Sequence, residues 1–228
     1  MKFLAVIPAR SNSQSIKKKN TFIINNKPLV QYTFEAVNKS LINKGYLVSD
    51  DIKIKKLAKK FNISIDYFRP KKLSKSNTSL TETLFHFHKW TKSEKIFYDY
   101  LVILQPTSPL RNFKDINYAV RIVRKKKYKS LCSISESLEH PYECIKIEKN
   151  GKWKYILSKS KLYYRRQDYD FDSYFINGAI FIIHRELISK KKTYDNRKHG
   201  FYLMPKYRSI DINELDEVKI IEPLLKKI

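Results

Sequence analysis

Three short segments carry side chains able to handle phosphate-like anions and a hard cation. The first runs Ala9-Arg10-Ser11-Asn12-Ser13-Gln14-Ser15-Ile16-Lys17-Lys18-Lys19-Asn20. Its small polar residues leave backbone N–H groups approachable, and Arg10 and Lys17 to Lys19 add fixed positive charge. That composition suits a triphosphate, and it equally describes a solvated basic loop. The second is Gln105-Pro106-Thr107-Ser108-Pro109-Leu110-Arg111. Two prolines stiffen it while Gln, Thr, Ser and Arg present hydrogen-bonding groups, unless it is simply a tight turn that starts a helix. In the third, Ser209-Ile210-Asp211-Ile212-Asn213-Glu214, residues 211 and 213 share one face of an extended segment. An Asp and an Asn there could share one hard cation, or Asn213 could cap the last helix.

Other chemistries find less support. Glycine occurs only four times, at 45, 151, 178 and 200, so neither a G-x-G-x-x-G nor a Walker-type phosphate loop can be written. Cys132 and Cys144 match no metal spacing and read as buried free thiols of a reducing compartment. His86 and His88 fall among aromatics with no third ligand nearby and read as structural. Nothing resembles a Ser-His or Cys-His nucleophilic pair.

The elements that must position the three segments alternate in type. Apolar runs at Phe3–Ile7, Tyr46–Val48, Ile63–Phe68, Tyr100–Leu104, Ser130–Ile134 and Ile176–Ile183 read as strands. Between them lie helical patterns at Leu29–Val37, after Ser49-Asp50-Asp51, at Thr78 to about Lys92, and over Ile116, Ala119, Val120 and Val123. This βαβ rhythm predicts an α/β domain, a mostly parallel sheet with helices on both faces. It is interrupted near residues 138–172 by a hairpin around Asn150-Gly151, and a helix from about Glu214 closes the chain. In such sheets ligands sit beyond the carboxyl ends of strands, where the first two segments fall.

The 228 residues carry 47 Lys plus Arg against 22 Asp plus Glu, a formal charge of +25. The basic residues are scattered, and no RNA- or DNA-binding signature accompanies them, so a nucleic-acid partner is the weaker reading of that charge. The N-terminal apolar run is too short for a signal segment and no window reaches membrane-spanning length, so a soluble, cytoplasmic protein is expected, with no membrane partner.

Together the segments resemble a known family. Ala5-Val6-Ile7-Pro8-Ala9-Arg10 with Asn20, Lys27-Pro28-Leu29-Val30, Val48-Ser49-Asp50-Asp51 and Phe68-Arg69-Pro70 look like the CMP-sialic acid synthetase (acylneuraminate cytidylyltransferase) family. So do Leu104-Gln105-Pro106-Thr107-Ser108-Pro109-Leu110-Arg111, His140-Pro141-Tyr142, Arg166-Gln167, Asn177-Gly178-Ala179-Ile180 and Ser209-Ile210-Asp211-Ile212, all in family order. The resemblance implies a Rossmann-like nucleotidyltransferase fold that moves CMP from CTP to the anomeric hydroxyl of a sialic-acid-like 2-keto sugar acid, releasing pyrophosphate with Mg²⁺. By resemblance, Arg10 and Lys19 are catalytic and hold the CTP phosphates with Ser13 and Gln14, and Asn20 lies beside the nucleotide. Arg69, with a hydroxyl from Ser79 or Thr81, reads the cytosine. Gln105, Arg166 and Asn177 face the sugar acid, and Asp211, also catalytic, binds the metal with Asn213. The segment at about 138–172 matches a dimerisation arm, which implies a homodimer.

Three departures qualify the resemblance. The family's Arg-x-x-Ser-Lys-Gly is Arg10-Ser11-Asn12-Ser13-Gln14-Ser15 here, so a lysine charge becomes an amide, with Lys17 or Lys18 available to compensate. Its Asp-x-Asp is Asp211-Ile212-Asn213, which lowers the charge offered to a metal and predicts a weakened Mg²⁺ requirement. Asn77 stands where Asp is common. The competing expectations are a sister activity on Kdo, legionaminic or pseudaminic acid, and a degenerate non-catalytic paralogue.

Overall fold

The computed structural model describes residues 1–11, 16–74, 78–157, 165–193 and 197–227. Its first half comprises β1 (Phe3–Pro8), β2 (Ile23–Ile24), β3 (Lys27–Pro28), α1 (Leu29–Asn38), β4 (Lys44–Val48), α2 (Ile52–Lys59), α3 (Leu80–Ser93), β5 (Tyr100–Ile103) and α4 (Phe113–Lys126). β6 (Ser130–Glu136), β7 (Ile145–Ile147), β8 (Trp153–Tyr155), β9 (Tyr174–His184), α5 (Arg185–Ser189), β10 (His199–Leu203) and α6 (Leu215–Leu225) follow.

Six strands form one sheet in the order β10-β6-β9-β5-β1-β4. β1 runs parallel to β4 and β5, and β10 parallel to β6, whereas β9 is antiparallel to both of its neighbours. The sheet is therefore mixed, and mostly parallel on one side. Strand alternation divides its residues between two apolar layers. Phe3, Ala5 and Ile7 of β1 pack with Val30, Phe34, Ile54, Val120 and Val123 from α1, α2 and α4. Leu4 and Val6 pack on the opposite face with Leu84 and Phe87 of α3 and Leu187 of α5.

Local signals explain most boundaries. Asp51 caps α2, accepting from the N–H groups of Lys53 and Ile54, and reciprocal capping boxes start α3 (Ser79 with Glu82) and α4 (Asn112 with Asp115). β7 and β8 pair apart from the main sheet, turning through Gly151 at φ 81°, a left-handed conformation that favours glycine.

Several expectations need correction. Ile63–Phe68 is not a strand: only Ser64 bridges to Tyr46 there, and Tyr67 turns inward against Phe87 and Trp90. β10 and α5 are additional elements that the alternating pattern does not predict. Cys132 is buried but Cys144 is exposed, so only one thiol is interior. The capping residue of α6 is Glu214, whose N–H donates to the Glu217 carboxylate at 2.8 Å, so Asn213 is not the helix cap.

Candidate functional site

A third apolar cluster explains how the three segments meet. Ile16, Leu110 and Ile212 come one from each segment and pack with Leu29 of α1 and with Val218 and Ile221 of α6. Burying these side chains together draws the polar residues beside them into one place.

Hydrogen bonds then fix the segments to one another. The Ile212 N–H donates to the Thr107 carbonyl at 2.8 Å, and Ser108 Oγ donates to Asp211 Oδ1 at 3.0 Å. Lys19 is 8% exposed, and its ammonium donates to the carbonyls of Ile212 and Asn213, both at 3.0 Å. The first segment is thereby clasped to the third. The Asn20 amide donates to the Arg10 carbonyl at 2.9 Å, closing the base of the first segment. Asp50 anchors its start, accepting from the Ser11 N–H at 2.9 Å and from Ser11 Oγ at 2.8 Å. In sequence Asp50 belongs to the Val48-Ser49-Asp50-Asp51 motif ahead of α2, with nothing local to tie it to Ser11. Its position beside the first loop comes from the pairing of β1 with β4, which sets Pro8 against Val48.

Electrostatics around this junction are coupled. Burial lowers the Lys19 pKa, opposed by the Asp211 charge and assisted by Arg10. Arg69 is also lowered by burial, with Asp50 opposing and Arg10 again adding to the shift. Arg10, Lys19 and Arg69 thus form one field of positive charge, of the kind that concentrates a polyanion. The Asp211 carboxyl is pushed above its ordinary value by burial, against hydrogen bonds from Thr107 and Ser108 and the charge of Lys19, while Glu217 reinforces the rise.

The remaining candidate residues occupy distinct places. Arg69 donates to the Leu73 carbonyl through Nε and Nη2, at 3.2 and 2.6 Å, and Nη2 lies 3.4 Å from Thr83 Oγ1. The hydroxyl that meets Arg69 is thus that of Thr83, while Ser79 Oγ is engaged in capping α3. Gln105 Nε2 approaches the Gly178 carbonyl at 3.5 Å. Asn177 is buried: its oxygen accepts from Ser133 Oγ at 2.6 Å, and its amide donates to Ser209 Oγ at 3.0 Å. Arg166 sits apart from the junction, in a short turn over Arg166–Asp168, paired with Glu139 at 2.8 Å and Glu143 at 3.2 Å. Ser13 and Gln14 lie outside the described residues, as do Asn12 and Asn77. Lys18 supplies a left-handed residue in that loop, at φ 56°.

Arg111 is the buried brace of the site. At 1% exposure it donates to the Ala179 carbonyl at 3.2 Å and to Thr33 Oγ1 at 2.7 Å, tying the second segment to β9 and α1. Burial pushes its pKa down to about 10, with Asp115 and Asp211 opposing, so it stays charged near neutrality. Nothing local in the sequence marks this arginine for the interior, so Arg111 reads there as a displayed hydrogen-bonding group.

A cleft of about 1000 Å³ opens beside Asp211, bounded by Asn177, Ser209, Asn213 and Glu217 on its polar side and by Phe175 and Ile220 on its apolar side. A smaller one of about 320 Å³ holds Arg166 and shares Glu136 and Ser137 with the first. No group of three or more His, Cys, Asp or Glu side chains closes a metal cage among the described residues. A desolvated Asp211 with Asn213 and Glu217 nearby nevertheless fits Mg²⁺, which takes one or two carboxylates and completes its shell with water and substrate phosphates.

A family profile described as cytidylyltransferase matches residues 4–224. The chain belongs to the cytidylyltransferase family. It is 30% identical over 230 residues to the CMP-N,N'-diacetyllegionaminic acid synthase of Legionella pneumophila, covering 99% of this chain and 97% of that protein. It is 29% identical over 215 residues to the N-acylneuraminate cytidylyltransferase of Escherichia coli O18:K1:H7, covering 93% of this chain and 49% of that protein, about half the relative's length. Among solved structures, a CMP:2-keto-3-deoxy-manno-octonic acid synthetase complexed with CTP superposes with a TM-score of 0.71 at 13% identity, over 100% of this chain and 99% of that one. That likeness is one of fold: the mixed sheet is the Rossmann-like nucleotidyltransferase arrangement.

Proposed function

We propose that this cytidylyltransferase moves CMP from CTP to the anomeric hydroxyl of a sialic-acid-like 2-keto sugar acid and releases pyrophosphate. The observation that carries the proposal is the clasp of Lys19 on the Ile212 and Asn213 carbonyls, which sets the cationic first loop beside Asp211. In this reaction the sugar hydroxyl oxygen bonds to the α-phosphorus as the bond from that phosphorus to the pyrophosphate oxygen breaks. Such chemistry needs positioning and charge stabilisation more than a covalent nucleophile.

Arg10 and Lys19, with Ser13 and Gln14, hold the phosphate oxygens, while Arg69 and Thr83 lie towards the base and Asn20 keeps the loop closed. Asp211 and Asn213, with Glu217 near them, would hold Mg²⁺, which when bound supplies countercharge to the leaving pyrophosphate. The sugar acid occupies the cleft bounded by Asn177 and Asn213, with Gln105 held at the carbonyl of Gly178, next in sequence to Asn177. Arg166 offers a guanidinium for the carboxylate if Glu139 and Glu143 release it. The curated relatives act on legionaminic, neuraminic and pseudaminic acids by name, which supports a nine-carbon sugar acid over Kdo.

The exposed hairpin supports a homodimer. Ile147 is 72% and Trp153 57% exposed, apolar area that a second copy would cover. No helix among the described residues is long and apolar enough to cross a membrane, and we place the reaction in the cytoplasm, where CTP is found. The test is pyrophosphate release from CTP and Mg²⁺ with a panel of 2-keto sugar acids. Release with at least one acid is expected, and silence across the panel would favour the non-catalytic paralogue.

A further inference from the structure

A cavity of about 480 Å³ lies between the C-terminal end of α3 and α5. It is remote from the junction described above: Thr83, beside Arg69, is in the first turn of α3, whereas Thr91 and Lys92 of its last turn line the cavity. About two and a half turns of helix separate them.

Three cations line this cavity, Lys92, Lys95 and Arg185, and no carboxylate lies within ion-pair distance of any of them among the described residues. The acid on its wall, Glu186, is already paired with Lys129 at 2.6 Å. The lysines are not needed to cap α3. The carbonyls of Trp90, Thr91 and Lys92 already accept from the N–H groups of Glu94, Ile96 and Lys95. Arg185 lies over the Phe97 ring at 4.8 Å, a cation–π contact that favours its place at the wall.

The second observation is His88, which also lines the cavity. It is 5% exposed, and its Nδ1 faces the Tyr98 hydroxyl at 2.7 Å, yet its Nε2 has no hydrogen-bond partner. A buried ring nitrogen without a partner costs stability unless something satisfies it.

We propose that this cavity is a second anion site that takes a small phosphate-bearing metabolite. Three uncompensated cations match a phosphoryl dianion better than a monoanionic carboxylate, and Arg185 can offer two parallel N–H donors. A volume of 480 Å³ exceeds what phosphate alone fills and lies in the range of small-molecule sites, so the phosphate carries an organic body. Phe97 and Ile96 give that body apolar contact.

The test follows the His88 ring by NMR at constant ionic strength while inorganic phosphate or ribose 5-phosphate is added, with chloride as the control. A saturable shift of the His88 signals is expected with both phosphates, tighter for the monoester and absent with chloride. Arg185→Ala and Lys92→Ala, both on the surface, should each weaken it about tenfold, equivalent to roughly 1.4 kcal/mol. Near-UV circular dichroism verifies that each variant stays folded. No saturable shift with either phosphate, or a shift that survives both substitutions, overturns the proposal. Saturation by inorganic phosphate with no gain for the monoester overturns the organic-body assignment. None of these readings depends on turnover, so the site stands or falls apart from the proposed reaction.

Discussion

At the scale of single residues, the groups that matter most here act through contacts a sequence does not display. Lys19 belongs to a run of three lysines, yet it alone is buried and clasps two carbonyls almost two hundred positions away. Removing its ammonium leaves the buried Ile212 carbonyl and the half-buried Asn213 carbonyl without a charged donor. Lys19→Ala should therefore cost about 1–3 kcal/mol of stability, read from urea unfolding, and should also raise the CTP KM. His88 gives a prediction about pH. Burial, with Lys92 and Arg185 adding to it, lowers its pKa below the ordinary 6.5. The unfolded chain then binds the proton more readily, so the stabilisation is complete above that ordinary value and is lost as pH falls through the lower folded value. Between about pH 7 and pH 5 the melting temperature of the wild type should fall more steeply than that of His88→Gln.

At the scale of elements, the fold was legible wherever periodicity and capping agreed. α2 and α4 have both, and β1 and β5 are uninterrupted apolar runs ending at the loops of interest. Ile63–Phe68 misled because an apolar-polar alternation reads the same whether it faces a neighbouring strand or merely lays Tyr67 into an aromatic cluster. β10 is hard to read because it is an edge strand, half solvated, whose short Phe201-Tyr202-Leu203 run follows a His-Gly pair. The three site segments were readable as loops, but their convergence depends on Ile16, Leu110 and Ile212, ordinary aliphatics whose partnership is purely tertiary. Truncating Ile212, which is fully buried, should cost about 2–5 kcal/mol and should lower turnover beyond the stability loss, because Asp211 and the Lys19 acceptors move with it. Turnover of Ile212→Ala measured well below its melting temperature separates the two effects.

At the scale of the whole molecule, the charge of +25 forms no single footprint; part of it gathers as Arg10, Lys19 and Arg69 around the proposed CTP site. The other global feature is the separate β7–β8 hairpin, which exposes Ile147 and Trp153. Light scattering after gel filtration should report a dimer for the wild type, and the double substitution Ile147→Asp with Trp153→Asp should give a monomer. An unchanged mass would assign the dimer contact elsewhere or remove it.

The central claim is that the Lys19–Asp211 junction transfers CMP to a sugar acid, and the product itself tests it most directly. Mass spectrometry of a reaction with CTP, Mg²⁺ and diacetyllegionaminic, neuraminic or pseudaminic acid should show a CMP-sugar with the wild type. With Asp211→Asn its formation should fall by a factor on the order of a hundred or more while the fold persists. A CMP-sugar formed equally well by Asp211→Asn, or by neither protein with any acid, would contradict the account.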